Sequence, residues 1–203
     1  MIKNYIDNYF FIVLAILPIS ILVGSTVSLT NILIFDLSFL LLLAFKKDFY
    51  WINNTFVKAL FLIYLYLIFN TFISLDYGTS IKRNFGFFRL IIFFLGINYF
   101  FRYEKFNKIF LIWSAVIIIV IIDIFIEKYT GSNILGYGEG HQRIVSFFKD
   151  EAIIGGYVYS FAFLLVGYHL FKINNLKKYN LIIFFLILFV LLFTVISTGE
   201  RST

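Results

Sequence analysis

The 203-residue chain contains no cysteine, a single proline and only two histidines. Without cysteine it has no disulfide, no thiolate metal ligand and no cysteine nucleophile. His141 and His169 are too few for a histidine-rich metal cluster, so no metal site is expected. Charge is scarce too: 14% of residues are charged, against about 25% in a soluble domain. Hydrophobic residues make up 62%. A water-soluble core of this size cannot use so much apolar surface, so the bilayer is the expected solvent. The net charge of +6 is explained by its placement in loops, and no nucleic-acid partner is expected. No cleavable signal peptide is expected either. Lys3 is offset by Asp7, and no small-residue cleavage site follows "FFIVLAILPISILVG". That stretch reads as the first anchor.

Apolar runs alternate with short polar breaks along the whole chain. A span needs about 17–25 residues to cross the hydrocarbon core, which gives about seven: near Tyr9–Val23, Leu29–Phe45, Phe56–Ile73, Phe87–Phe101, Phe110–Ile126, Gly155–Phe171 and Leu181–Ile196. The runs are continuously apolar, without period-two alternation, so they predict helices and not barrel strands. The expected fold is an all-α polytopic transmembrane bundle. No repeat and no linker divides it, so residues 1–203 read as a single membrane domain. One set of loops carries Lys3, Lys46, Lys47, Lys58, Arg102, Lys105, Lys108, Lys172, Lys177 and Lys178 with few acids. By the positive-inside rule that set is cytoplasmic. The N-terminus is then expected inside, and the closing "STGERST" outside. On the outer side the basic residues are nearly balanced by Asp76, Glu127, Glu139, Asp150, Glu151 and Glu200.

Those outer basic residues are not a topology signal and need another reason. In "DYGTSIKRNFGFFRL", Lys82 and Arg89 are seven apart and share a helix face, with Arg83 beside Lys82. Two readings stand side by side. The three residues snorkel to headgroup phosphates, or they clamp a substrate phosphate, for which guanidinium geometry is suited. The longest polar segment, Glu127–Ile154, includes "GYGEGH", which reads as ordinary loop because no strand precedes it and its spacing departs from a dinucleotide fingerprint. His141 reads as a solvated loop residue. "RIVSFFKDEAIIGG" offers Arg143, an aromatic pair, and the adjacent acids Asp150 and Glu151. Acids at a helix start are also simply favoured by the helix dipole. Two further acids lie inside spans and should find partners there. Asp123 is expected to pair with Arg83 or Arg89, and Asp36 has no evident partner.

Taken together, "FTVISTGERST", "RIVSFFKDEAIIGGYVYSF" and "SLDYGTSIKRNFGFFRLIIF" resemble the O-antigen ligase and O-antigen polymerase superfamily of polytopic membrane glycosyltransferases. In that family a span commonly ends in a small-residue turn with an arginine, here Thr198, Gly199, Glu200, Arg201 and Ser202. The resemblance implies transfer of a glycan from undecaprenyl pyrophosphate to a lipid A core or another glycan chain. The reaction takes place at the periplasmic face of the bacterial inner membrane. It implies no cofactor, because the lipid pyrophosphate is the leaving group. Basic side chains suit that chemistry, neutralising charge as the pyrophosphate departs. Arg201 is the expected catalytic residue; Lys82, Arg83, Arg89, Arg143, Asp150 and Glu151 are the expected pyrophosphate- and glycan-binding residues. Family members usually continue with a large periplasmic loop bearing another arginine and a histidine, then further spans. The chain therefore reads as the N-terminal part of a longer enzyme, and is expected to be inactive alone. A transporter or channel for an anionic solute is the alternative class, and a non-catalytic membrane scaffold a third.

Overall fold

The computed structural model describes residues 2–46, 54–100, 106–138, 143–149, 153–172 and 178–199. Eight α-helices follow in order: α1 (Ile2–Ala15), α2 (Leu17–Val23), α3 (Ser25–Lys46), α4 (Thr55–Ile73), α5 (Tyr77–Phe100), α6 (Phe106–Thr130), α7 (Ile154–Lys172) and α8 (Lys178–Ser197). A short 3₁₀ turn, Ser146–Phe148, precedes α7. No strand occurs among the described residues, and the chain is an all-α membrane protein. Four helical stretches are long and apolar enough to cross a bilayer: Tyr5–Val23, Ser25–Lys46, Thr55–Ile73 and Asn107–Thr130. Shorter apolar helical stretches run over Ile154–Tyr168 and Phe184–Ser197. α5 is not among the four, since Lys82, Arg83 and Arg89 all lie within it. Pro18 breaks the first run: it has no N–H to give and its ring crowds the preceding turn, so α1 ends at Ala15 and α2 begins at Leu17.

The described residues fall into two compact units. The first comprises Met1–Leu17 and Thr26–Phe106, the second Pro18–Ser25 and Asn107–Thr203.

In the first unit α3 packs between helices from both sides of the sequence. Phe10 of α1 meets Phe35 edge-on at 5.4 Å, and Phe35 meets Phe93 of α5 at 5.0 Å. Tyr9 Oη and Ser38 Oγ share a hydrogen bond of 2.9 Å. Gly96 lets α5 approach closely, because a Cβ there would run into the Phe35 ring and come within 3.3 Å of Phe39 Cγ. Lipid tails are as apolar as leucine, so helices in a membrane associate by such close packing and by hydrogen bonds across helices. One of those joins α4 to α5: buried Asn84 donates to Thr71 Oγ1 at 2.8 Å and to the Leu67 carbonyl at 2.9 Å. Bonds of this kind contribute about 0.6 kcal/mol on average in membrane proteins. α5 begins ten residues before the expected span at Phe87. Asp76 caps it, accepting from Thr79 N–H at 3.2 Å and from Thr79 Oγ1 at 2.5 Å. Lys82 and Arg89 thus lie on one helix, as their spacing suggested, and Arg89 stands midway along it.

In the second unit α6 is the central helix. Trp113 meets Phe161 of α7 at 5.5 Å, and Phe110 stacks on Tyr168 at 3.9 Å. Phe125 stacks on Phe193 of α8 at 6.0 Å. Tyr157 of α7 donates to the Pro18 carbonyl at 3.1 Å, which ties α2 to this unit.

Candidate functional site

The C-terminal end of α6 carries two carboxylates one turn apart, Asp123 and Glu127, which share a helix face. Both are buried, at 0% and 5% exposure. The loop that follows folds back over them and supplies a donor to each of their four oxygens. Asp123 Oδ1 accepts from Ile134 N–H at 2.9 Å, and Oδ2 from Ser146 Oγ at 2.5 Å. Glu127 Oε1 accepts from Val145 N–H at 2.9 Å, and Oε2 from Ser146 N–H at 2.6 Å. The carboxylates thus replace the loop's missing backbone partners, which a buried N–H requires.

Asn133 completes the latch from within the loop. Its side-chain NH₂ donates to the Ser146 carbonyl at 2.6 Å, and its Oδ1 accepts from Leu135 and Tyr137 N–H at 3.0 and 2.7 Å. Ser146, fully buried, is held at φ 50°. A non-glycine residue rarely adopts that left-handed conformation, and it persists where the surroundings over-determine it. Here three bonds do so: through its N–H, its hydroxyl and its carbonyl it meets Glu127, Asp123 and Asn133. Gly138, at φ +102°, lies against Glu127, whose Cδ would sit 2.9 Å from a Cβ at that position.

Around this latch stand cations. Lys128, the residue after Glu127, donates to Ser197 Oγ at the end of α8 at 2.9 Å and lies over the Phe193 ring at 5.0 Å. Arg143 is exposed, and its stem passes the α8 terminus, with Cγ 4.0 Å from where a Gly199 Cβ would be. Lys149 lies over the Tyr137 ring at 5.7 Å. α8 itself ends in a left-handed glycine cap: Gly199 has φ +67° and its N–H bonds to the Ile196 carbonyl at 3.3 Å. The Asp123 and Glu127 oxygens are all engaged by neutral donors of the loop. The donors facing those oxygens are N–H and O–H groups, so the pair is not arranged as a cation site. No group of three or more metal-ligating side chains occurs among the described residues.

Of the residues expected from the sequence, Arg143 stands beside the Thr198–Gly199 turn. Arg201, two residues beyond that turn, lies outside the described residues, as do Asp150, Glu151 and His141. Lys82 and Arg83 are exposed in the first half of α5, in the first unit. Arg89 is half-buried midway along the same helix, where its charge acts on Asp36 of α3. Asp36 is the acid for which the sequence offered no partner. The arginine partner expected for Asp123 is replaced by the loop donors at Ile134 and Ser146. Lys128, Asn133 and Ser146 were not anticipated. The signal for them was the Asp123/Glu127 spacing, which puts two acids on one buried face and demands donors from somewhere. No family model, no curated protein sequence and no solved structure matches the chain.

Proposed function

We propose that this chain belongs to a membrane glycosyltransferase of the O-antigen ligase and polymerase type, which moves a glycan from undecaprenyl pyrophosphate to a lipid A core or glycan acceptor. The observation that carries this reading is the end of α8. An apolar helix stops in a glycine-capped turn, Arg143 lies along that turn, and Lys128 bonds to Ser197 one residue before it. The chain then continues to Arg201. Cations at the end of an apolar helix, beside a backbone with no side chain at Gly199, suit a diphosphate arriving from the bilayer surface. Charge-assisted contacts of this kind contribute about 1.5–3 kcal/mol each. The latch holds Val145 and Ser146, two and three residues after Arg143, which limits where the Arg143 side chain can reach. In this reading the site faces the periplasm and the N-terminus the cytoplasm.

The test is transfer of the lipid-linked glycan in membranes carrying the whole protein. Arg143→Ala and Arg201→Ala should each lower transfer by at least tenfold with membrane insertion unchanged, and Arg201→Lys should restore only part. Normal transfer by both alanine variants would remove the turn from the reaction. A second reading, a transporter for an anionic solute, is favoured by one observation: the charged residues Asp36 and Arg89 midway along α3 and α5. Uptake of an anion by proteoliposomes, with no glycan transfer, would select it.

A further inference from the structure

We propose that Asp36 and Arg89 form the floor of a hydrated notch in the first unit, holding water between a carboxylate and a guanidinium midway along α3 and α5. Asp36 is 3% exposed. Both its oxygens are buried and lack a hydrogen-bond partner among the described residues, and so does the Arg89 Nε. No hydrogen bond joins them, but their helices touch between them: Phe35, next to Asp36, meets Phe93, one turn after Arg89, at 5.0 Å. The packing of α3 on α5 is aromatic, since Gly96 draws α5 onto Phe35 and Phe39. Buried ionisable groups in such surroundings require partners, and within membranes they face the protein interior or a water-filled cavity.

Water is the guest whose chemistry fits. Water can donate to a carboxylate and can accept from an Nε–H, and buried waters typically make about three such bonds to otherwise unsatisfied groups. A cation would lie against the guanidinium, and an anion against the carboxylate. α5 also offers a way in. Gly86 lies four residues after Lys82 and three before Arg89, on the same side of the helix. Nothing lies within 4 Å of where its Cβ would stand, and Lys82 is exposed. The Lys82–Gly86–Arg89 stripe thus leads from the first turns of α5 to the pair. None of this depends on glycan transfer.

These 203 residues contain no cysteine, so a cysteine introduced among them can be read on the purified protein in nanodiscs against the unsubstituted protein. Single variants Gly86→Cys and Arg89→Cys are treated with a charged methanethiosulfonate reagent, which needs a thiolate and therefore water. Leu62→Cys and Leu65→Cys, exposed midway along α4, are the lipid-facing controls. We expect reaction at residues 86 and 89, and at least tenfold slower reaction at 62 and 65, each referenced to total thiol after denaturation. Comparable reaction at all four would mean that these helices stand in water, and no reaction at 86 and 89 would mean a dry pair; either overturns the notch. Gly86→Cys retains both charges, so misfolding caused by losing Arg89 does not confound it. Combining Gly86→Cys with Asp36→Leu and Arg89→Leu should slow its reaction at least tenfold. An unchanged rate would show that the pair does not hold the water.

Discussion

Glu127→Ala is the perturbation with the most calculable outcome. The substitution removes both acceptors from the Val145 and Ser146 N–H groups, which are bonded at 2.9 and 2.6 Å and are 1% and 0% exposed. Each buried donor left unsatisfied costs about 1–3 kcal/mol. Ser146 at φ 50° loses one of the bonds that hold it there, so the loop also has strain to release. Allowing for water that enters the vacated space, a local cost of about 3 kcal/mol is expected. At about 1.4 kcal/mol per decade, that is roughly a hundredfold larger open population of the loop. Glu127→Gln keeps one acceptor oxygen but turns an NH₂ toward the other donor, and should fall between the two. Hydrogen exchange read by mass spectrometry on peptides spanning 131–149, in detergent or nanodiscs, measures the effect directly. Protection at 145 and 146 should drop by about two decades in the alanine variant, while α6 and α7 keep theirs. Protection equal to that of the unsubstituted protein would refute the latch, because those amides would then have another source of stability.

Gly138→Ala places a Cβ against the Glu127 carboxylate and demands φ +102° of a non-glycine residue. The same peptides should lose protection, by about 1–2 kcal/mol, with helix protection retained. Gly96→Ala drives a methyl into the buried Phe35 ring and should lower the thermal midpoint in detergent by several degrees, read by tryptophan fluorescence or aggregation onset. Asp76 has a carboxyl held below its ordinary value by the Thr79 hydroxyl and then by the Thr79 N–H. Its capping contribution is present above the unfolded value of about 3.9 and is lost as pH falls through the lowered folded value. Exchange at Thr79, corrected for its intrinsic pH dependence, should accelerate in that acid window, and Asp76→Ala should abolish the pH dependence.

Most helices were legible as apolar runs, four of them long enough among the described residues to cross a bilayer. The expected spans at Phe56–Ile73 and Leu181–Ile196 end within three residues of the ends of α4 and α8. The start of α5 was not legible in hydropathy, since its first turns carry Lys82, Arg83 and Asn84. Its cap was written in the sequence as Asp76 followed three residues later by Thr79, a pattern that competes with the many loop sequences containing the same residues. Glu127 was counted among charges balancing the outer loops, yet the structure buries it. Its value lies in backbone N–H groups eighteen and nineteen residues away, and backbone donors leave no trace in residue identity. Asp36 lacked a partner for a related reason. Arg89 lies on α5, with α4 between them in sequence, and only packing brings two non-consecutive helices together. Arg143 was picked for its charge, but its place beside Gly199 depends on the left-handed cap of α8 and on the latch, neither of which residue type alone encodes.

The break at Pro18 has a consequence in time. Residues 18–25 leave the ribosome with the first hydrophobic segment, yet the tyrosine hydroxyl that meets the Pro18 carbonyl belongs to a residue 139 positions later. At about 5–20 residues per second, that partner is synthesised roughly 7–28 s afterwards. α1 can find α3 early, through Tyr9 and Ser38, while α2 has to wait for α7. The nascent chain therefore carries an interval in which one half of its first hydrophobic run has a place and the other half does not.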